Sequence, residues 1–378
     1  MATATNYAGA QAAAGSKARE TTRRRSNKTP GAKKIILKEL PAFTRQMAAM
    51  LSSGMPIVQT LEALEGQTDH KVFKEVVRGV RTQIEGGDSL TEALRHYPDV
   101  FSTLYVSMLQ AGEMGGLLAD TADRLAFYLE SQAKLRRKVV SAMMYPCIVT
   151  AVALLLTSAM IIWIVPAFAS IYKDFDAALP APTQFLVNVS DFVRAFALYV
   201  VVTLVVVVVS LAKFKKTEKG AYLWDAMLLK LPVFGELISK VSLSRFAATF
   251  AQMTRSGVPI LQGLEITAVA TGNKVLGRVI ENASDMVERG EPLSAALISD
   301  PNFPTMLVQM LAAGEKTGKV DDMLQKLSEF YQDEVDATLA GLTSLIEPLL
   351  IVFLGILIGG IVLCMFMPIF KMHEIVNF

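Results

Sequence analysis

Cysteine and histidine are scarce in this chain, and charge is missing from three long stretches of it. Of 378 residues two are cysteines and three are histidines. Cys147 and Cys364 both fall inside apolar runs at different positions, which argues against a disulfide framework or a metal site. His70, His96 and His373 are scattered, so structural or surface roles are expected of them. No Ser-His-Asp, Cys-His or paired-carboxylate arrangement stands at a meaningful spacing. No enzyme activity, metal or cofactor is expected.

The missing charge is informative. Between Lys138 and Lys173 there is no charged residue, and "CIVTAVALLLTSAMIIWIVPAF" alone is long enough to cross a bilayer. A second charge-free run covers 195–212, and a third extends from Pro348 to Phe370. At 1.5 Å per residue the third reaches roughly 35 Å, against about 30 Å of hydrocarbon. Three membrane spans are therefore expected, over 139–172, 195–212 and 347–370. Basic residues set their orientation. Lys134, Arg136, Arg137 and Lys138 precede the first span, and Lys213, Lys215 and Lys216 follow the second. The intervening loop, 173–194, holds Lys173 and Arg194 against Asp174, Asp176 and Asp191. The segments before 139 and over 213–346 are thus expected in the cytoplasm, with the loop and the tail 371–378 outside.

Residues 1–38 are rich in Ala, Thr and Ser and then basic, "KARETTRRRSNKTPGAKK" carrying Glu20 as its one acid. No apolar segment follows, so no secretory signal is expected. A solvated, disordered tail is one reading and attachment to anionic lipid headgroups or an acidic partner another. Nucleic-acid binding is not expected, because Tyr7 is the only aromatic residue there.

An internal duplication organises the rest. "FTRQMAAMLSSGMPIVQTLEAL" (43–64) aligns with "FAATFAQMTRSGVPILQGLEIT" (246–267) at an offset of 203, with ten identities in 22 positions. "GDSLTEALRHYP" (87–98) aligns with "GEPLSAALISDP" (290–301) at the same offset, and "FSTLYVSMLQAGEMGG" (101–116) with "FPTMLVQMLAAGEKTG" (303–318) at 202. The register continues into the apolar runs, pairing Pro146 with Pro348. Each copy is a soluble domain leading into a span of the same direction, and the second span has no counterpart.

The duplication disposes of one tempting motif. "AAGEKTGKV" (312–320) has the look of a phosphate-binding loop, yet only three residues separate Gly314 from Gly318, and Val320 replaces the Ser or Thr that would hold magnesium. The first copy, "QAGEMGGLL" (110–118), has no lysine. What both copies keep is a glycine-marked break between two helices, at Gly112-Glu113 and Gly314-Glu315. A carboxylate accepting backbone amides at the start of the following helix is the structural expectation for Glu113 and Glu315, compatible with contact to a partner.

Both domains read as helical. Gly54 stops a short amphipathic helix and Pro56 fits the first turn of the next; Gly257 and Pro259 repeat this. Asp88 or Ser89 can cap "LTEALRHY", and a helix from about 102 ends at Gly112. A long helix from about 116 has no breaker before Pro146. The fold class is thus an all-α membrane protein, with two homologous cytoplasmic six-helix bundles (39–138 and 213–346) and three transmembrane helices. Glu347, next to Pro348, is expected at the membrane edge.

The repeated "SSGMPIVQTLE" and "RSGVPILQGLE", the two "AGE…G" joints and the order of domains and spans make residues 43–370 resemble the type II secretion F domain family. These are the inner-membrane platform proteins of type IV pilus and type II secretion machines. The resemblance implies a nonenzymatic, multi-pass hub of the bacterial inner membrane; self-association is expected from the ample surface of a three-span chain with two similar domains, and contact with membrane lipid from its basic tail. The resemblance further implies binding of a separate hexameric ATPase, of pilins or pseudopilins, and of inner-membrane assembly proteins. The contact candidates are Glu113, Glu315, Gly112, Gly314 and the basic clusters. The competing class is an oligomeric small transporter or channel subunit, for which Thr150, Thr157 and Ser158 offer only a faint polar face.

Overall fold

The computed structural model describes residues 29, 31–32, 35–174, 180–215, 217–232 and 234–376. Most of the basic tail (1–28, 30, 33 and 34), part of the expected loop (175–179) and Lys216 lie outside the described residues. Among the described residues every regular element is a helix.

In the first copy the helices are α1 (Leu40–Ser52), α2 (Ile57–Gln67), α3 (Lys71–Glu85), α4 (Leu90–Arg95) and α5 (Thr103–Met114). They are followed by α6, which runs for 42 residues over Leu118–Ala159. A π-helical turn, Met160–Ile164, joins it to α7 (Val165–Asp174), and α8 covers Ala181–Phe214. The second copy follows as α9 (Glu218–Lys230), α10 (Phe234–Arg255), α11 (Ile260–Ala270) and α12 (Lys274–Glu288). Then come α13 (Leu293–Leu297), α14 (Thr305–Thr317) and α15, 57 residues over Val320–Val376.

Local chemistry accounts for the boundaries. Gly54 turns the chain at φ +84° after α1, and Gly257 does the same at +74° after α10. Pro56 and Pro259 then serve as extended N-caps of α2 and α11, one position before the first turn that was expected of Pro56. Ser89 caps α4 in a reciprocal box with Glu92, the Glu92 amide donating to Ser89 Oγ at 3.1 Å and the Ser89 amide to Glu92 Oε2 at 3.3 Å. The helix expected to stop at Gly112 continues to Met114. The chain is also folded earlier than a tail ending at 38 would allow, because Ile35 is fully buried in the core.

One compact unit comprises the described residues up to Lys134 together with Leu243–Gly272 and Leu276–Ser328. Its core holds Phe43, Met47, Leu61, Phe73, Val77, Tyr105, Met108 and Leu125 of the first copy with Met253, Val258 and Ile266 of the second. Polar bonds join the same helices. Tyr128 Oη and Thr249 Oγ1 are 2.9 Å apart, and Arg124 Nη1 donates to the Arg255 carbonyl at 3.1 Å. The two copies are thus packed into one core here.

The other unit comprises Leu135–Ser242, Asn273–Val275 and the described residues from Glu329 on. At one place Leu135, Leu237, Val335, Leu339 and Leu342 form a small core, flanked by the Lys138–Asp336 ion pair. Lys240 bonds Glu236 at 2.7 Å and Glu334 at 2.8 Å. Burial opposes its charge, but the two carboxylates outweigh burial and raise its pKa. Elsewhere Val165, Ala169, Val187, Ile361 and Met365 bring α7, α8 and α15 together.

Two helical stretches among the described residues are long and apolar enough to cross a membrane, Leu118–Ser170 and Val320–Met367. Large side chains such as Leu154, Leu155, Leu349 and Ile356 face outward along them. In α8 the apolar stretch Val205–Phe214 is shorter, with Val205 to Val209 all exposed. This helix begins at Ala181, inside the segment read as a loop, because Pro180 caps it and Pro182 suits its first turn. Its Ser190 hydroxyl donates to the Ile161 carbonyl in the π-helical turn at 2.6 Å, and its Thr183 hydroxyl to the Cys364 carbonyl.

Candidate functional site: the paired glycine and glutamate joints

The joint of each copy is assembled from a short helix and the long pair that follows it. Gly112 lies in α5 and faces the start of α6, where a Cβ on it would stand 2.5 Å from Thr121 Oγ1 and 2.7 Å from Thr121 Cβ. At Gly314 in α14 the Cβ would meet the Cα of Val320 at 2.9 Å. Both glycines are buried, and both let two helices approach more closely than any larger residue permits. Glycine was expected here as a helix break, but the breaks themselves fall two to four residues later. Gly116 and Gly318 hold the left-handed backbone, at φ +68° and +71°.

The glutamate beside each buried glycine closes the joint. Glu113 accepts the Leu90 amide at 2.9 Å and the Thr91 amide at 3.1 Å, and the Thr91 hydroxyl donates to it as well. Glu315 accepts the Ser294 amide, at 3.3 and 3.4 Å to its two oxygens, and the Ser294 hydroxyl. The amides therefore belong to α4 and α13, the short helices lying earlier in the chain, not to the helices that follow. The physical reason is unchanged, since the first amides of any helix are unpaired and favour a negative acceptor. Thr91 and Ser294 were not singled out from the sequence, although the alignment at offset 203 keeps a hydroxyl at that place in both copies.

What the joints present outward differs between copies. Met114 and Leu117 are 82% and 62% exposed in the first. Lys316 and Lys319, also exposed, occupy the corresponding places in the second. A groove of about 300 Å³ opens beside Glu315, lined by Phe250, Ile260, Val287, Leu293 and Leu311. Chemically each joint is a carboxylate anchored by the amides and hydroxyl of a short helix, beneath an apolar surface in the first copy and a basic one in the second.

The other sequence-derived residues are not gathered at the joints. Lys134, Arg136 and Arg137 are exposed on α6, whereas Lys138 pairs with Asp336. Lys213 and Lys215 are exposed at the end of α8, with Lys215 Nζ 4.2 Å from the Trp224 ring centroid. Glu347 and Pro348 are exposed within α15, which passes through them without a break. One further charged cluster was missed. Glu65, largely buried, bonds Arg78 at 2.8 Å and Arg81 at 3.1 Å, and the Arg78 bond is the main reason its pKa lies below the usual value. The pair of arginines one turn apart on α3 was its only signal.

Comparison with known proteins follows the same repeat. The profile of the family described as type II secretion system (T2SS), protein F, matches residues 43–166 and again 246–368. A protein named type IV pilus assembly protein PilC from Myxococcus xanthus is 40% identical over 91% of this chain and 82% of its own length. A protein of the same name from Thermus thermophilus is 42% identical, covering 89% and 82%. A protein named type II secretion system protein F from Pseudomonas aeruginosa is 29% identical, covering 92% and 85%. With both joints and most of both long apolar helices inside the matched segments, this chain belongs to the type II secretion system protein F family.

Proposed function

We propose that the chain is an inner-membrane platform protein that couples a separate cytoplasmic ATPase to the assembly of pilins or pseudopilins. The observation that carries this reading is the family match over both copies, joint and apolar helix together. The relatives named for pilus assembly are 40% and 42% identical and the one named for secretion 29%, which favours a pilus over a secretion pseudopilus.

In this reading 139–172, 195–212 and 347–370 cross the membrane, and the helical domains over 39–138 and 213–346 lie in the cytoplasm. The 34 residues of α8 support counting it as the second span. The ATPase meets the joints through Met114, Leu117, Lys316 and Lys319, with Glu113 and Glu315 holding the frame. Lys134, Arg136, Arg137, Lys213 and Lys215 supply a second, charged contact with assembly proteins or lipid. Helices α6 and α15 carry displacement of the joints toward the membrane as rigid bodies. Self-association into a homo-oligomer completes the platform.

The test is photo-crosslinking in living cells from Met114 and Lys316, positions that leave both glutamate locks intact. Recovery of a secretion-type ATPase at either position is the expected result. Its absence at both, with the ATPase expressed, overturns the contact.

A further inference from the structure

Helix α9 begins within a few residues of the end of α8, and its first residues bond back to that end. The Thr217 hydroxyl donates to the Phe214 carbonyl at 2.8 Å and accepts the Gly220 amide at 3.1 Å. Gly220 is buried there, and a Cβ on it would fall 2.0 Å from the Phe214 oxygen. The start of α9 is therefore fixed to the end of the apolar helix.

The outward face of α9 has an unusual composition for a soluble surface. Lys219, Leu223, Met227 and Lys230 stand at helical spacing and are all exposed, Leu223 by 58% and Met227 by 49%. Leu231 and Phe234 continue the exposed apolar surface just beyond. The helix has two acids: Asp225 lies on the opposite side and accepts the Lys274 amide at 2.8 Å, and Glu218, exposed in the first turn, stands off the stripe by helical spacing. Lys213 and Lys215 add two exposed cations at the junction. Apolar residues between lysines, directly continuous with an apolar helix, match the layered chemistry of a bilayer surface. A protein partner accounts less well for lysines at both ends of the stripe together with those at the junction.

We propose that α9 lies in the plane of the cytoplasmic leaflet, with Leu223 and Met227 at the boundary between headgroups and acyl chains. Lys213, Lys215, Lys219 and Lys230 hold anionic headgroups. This rests on the reading that α8 crosses the bilayer with Phe214 at its cytoplasmic end. The second copy would then leave the membrane along its surface, not straight into the cytoplasm.

The test uses the full chain in vesicles of phosphatidylcholine and phosphatidylglycerol, with lipids brominated either near the carbonyl end or near the chain terminus. The chain has two tryptophans, Trp163 and Trp224, so Trp224→Phe leaves Trp163 as a reporter of the first span. Leu223→Trp in a Trp163→Phe, Trp224→Phe background reports α9. The expected result is loss of Trp163 fluorescence to bromolipid and loss of fluorescence at position 223 to the shallow bromines rather than the deep ones. The shallow quenching should weaken when phosphatidylglycerol is omitted and when Lys219 and Lys230 become Gln. Fluorescence at 223 untouched by bromolipid while Trp163 is quenched overturns the proposal and leaves the spans standing. Quenching at neither position overturns the membrane reading with it. Shallow quenching indifferent both to phosphatidylglycerol and to the lysines overturns the headgroup contact.

Discussion

The Glu113 carboxylate accepts the Thr91 backbone amide at 3.1 Å, across 22 residues of sequence. Glu315 and Ser294 reproduce the bond in the second copy. Replacing Glu113 by Ala strands the Leu90 and Thr91 amides in a part-buried place, at a cost of about 1–3 kcal/mol. Thermal unfolding of the purified protein in detergent measures it. Thr91→Ala in addition should cost less than its effect alone, because both changes remove the same hydroxyl bond.

Gly112 and Gly314 predict an asymmetry. Alanine at either position overpacks the joint by about 1–3 kcal/mol. At Gly112 the obstacle is a threonine side chain, whereas at Gly314 it is the Val320 backbone itself. Gly314→Ala is therefore expected to lower the melting temperature more than Gly112→Ala, and equal losses would show that both joints relax equally.

Acid should loosen the first copy through Glu65. Its carboxyl titrates below the ordinary value of 4.5, chiefly because of the Arg78 bond. Stability from this group is fully present above the unfolded value and is lost as pH falls through the lower, folded one. Glu65→Gln removes that dependence and flattens the acid limb of a stability profile. The second copy has Ala268 at the matching position, so no such limb arises from it there.

Insertion of Gly-Gly after Ser131, within α6, tests the lever directly. A hinge there is expected to abolish filament assembly while ATPase capture from Met114 persists. Assembly at normal levels would remove rigid transmission through α6 from the mechanism.

The sequence was most readable where two copies constrained each other. Gly112 and Gly314 marked the joints because the duplication removed the competing phosphate-loop reading, and Ser89 was among the caps named for α4. What escaped it were pairings between residues far apart in the chain. Met253 and Ile266 look like any apolar helical residues, and nothing local says that they share a core with Phe43 and Tyr105. Glu113 was assigned to amides of the nearest helix, when the acceptor reaches back to α4. Local periodicity tells which face is buried, not what covers it.

The alignment gives helix α8 no counterpart, yet it bonds residues of both copies. Thr183 and Ser190 stand seven residues, two turns, apart on one face of it, with Val187 between them. Ser190 holds the Ile161 carbonyl of the first copy and Thr183 the Cys364 carbonyl of the second, acceptors separated by 203 residues. In that respect α8 is a splint laid across a doubled frame. Neither copy's helix can slip along its axis there without first breaking a hydroxyl bond to that shared rod.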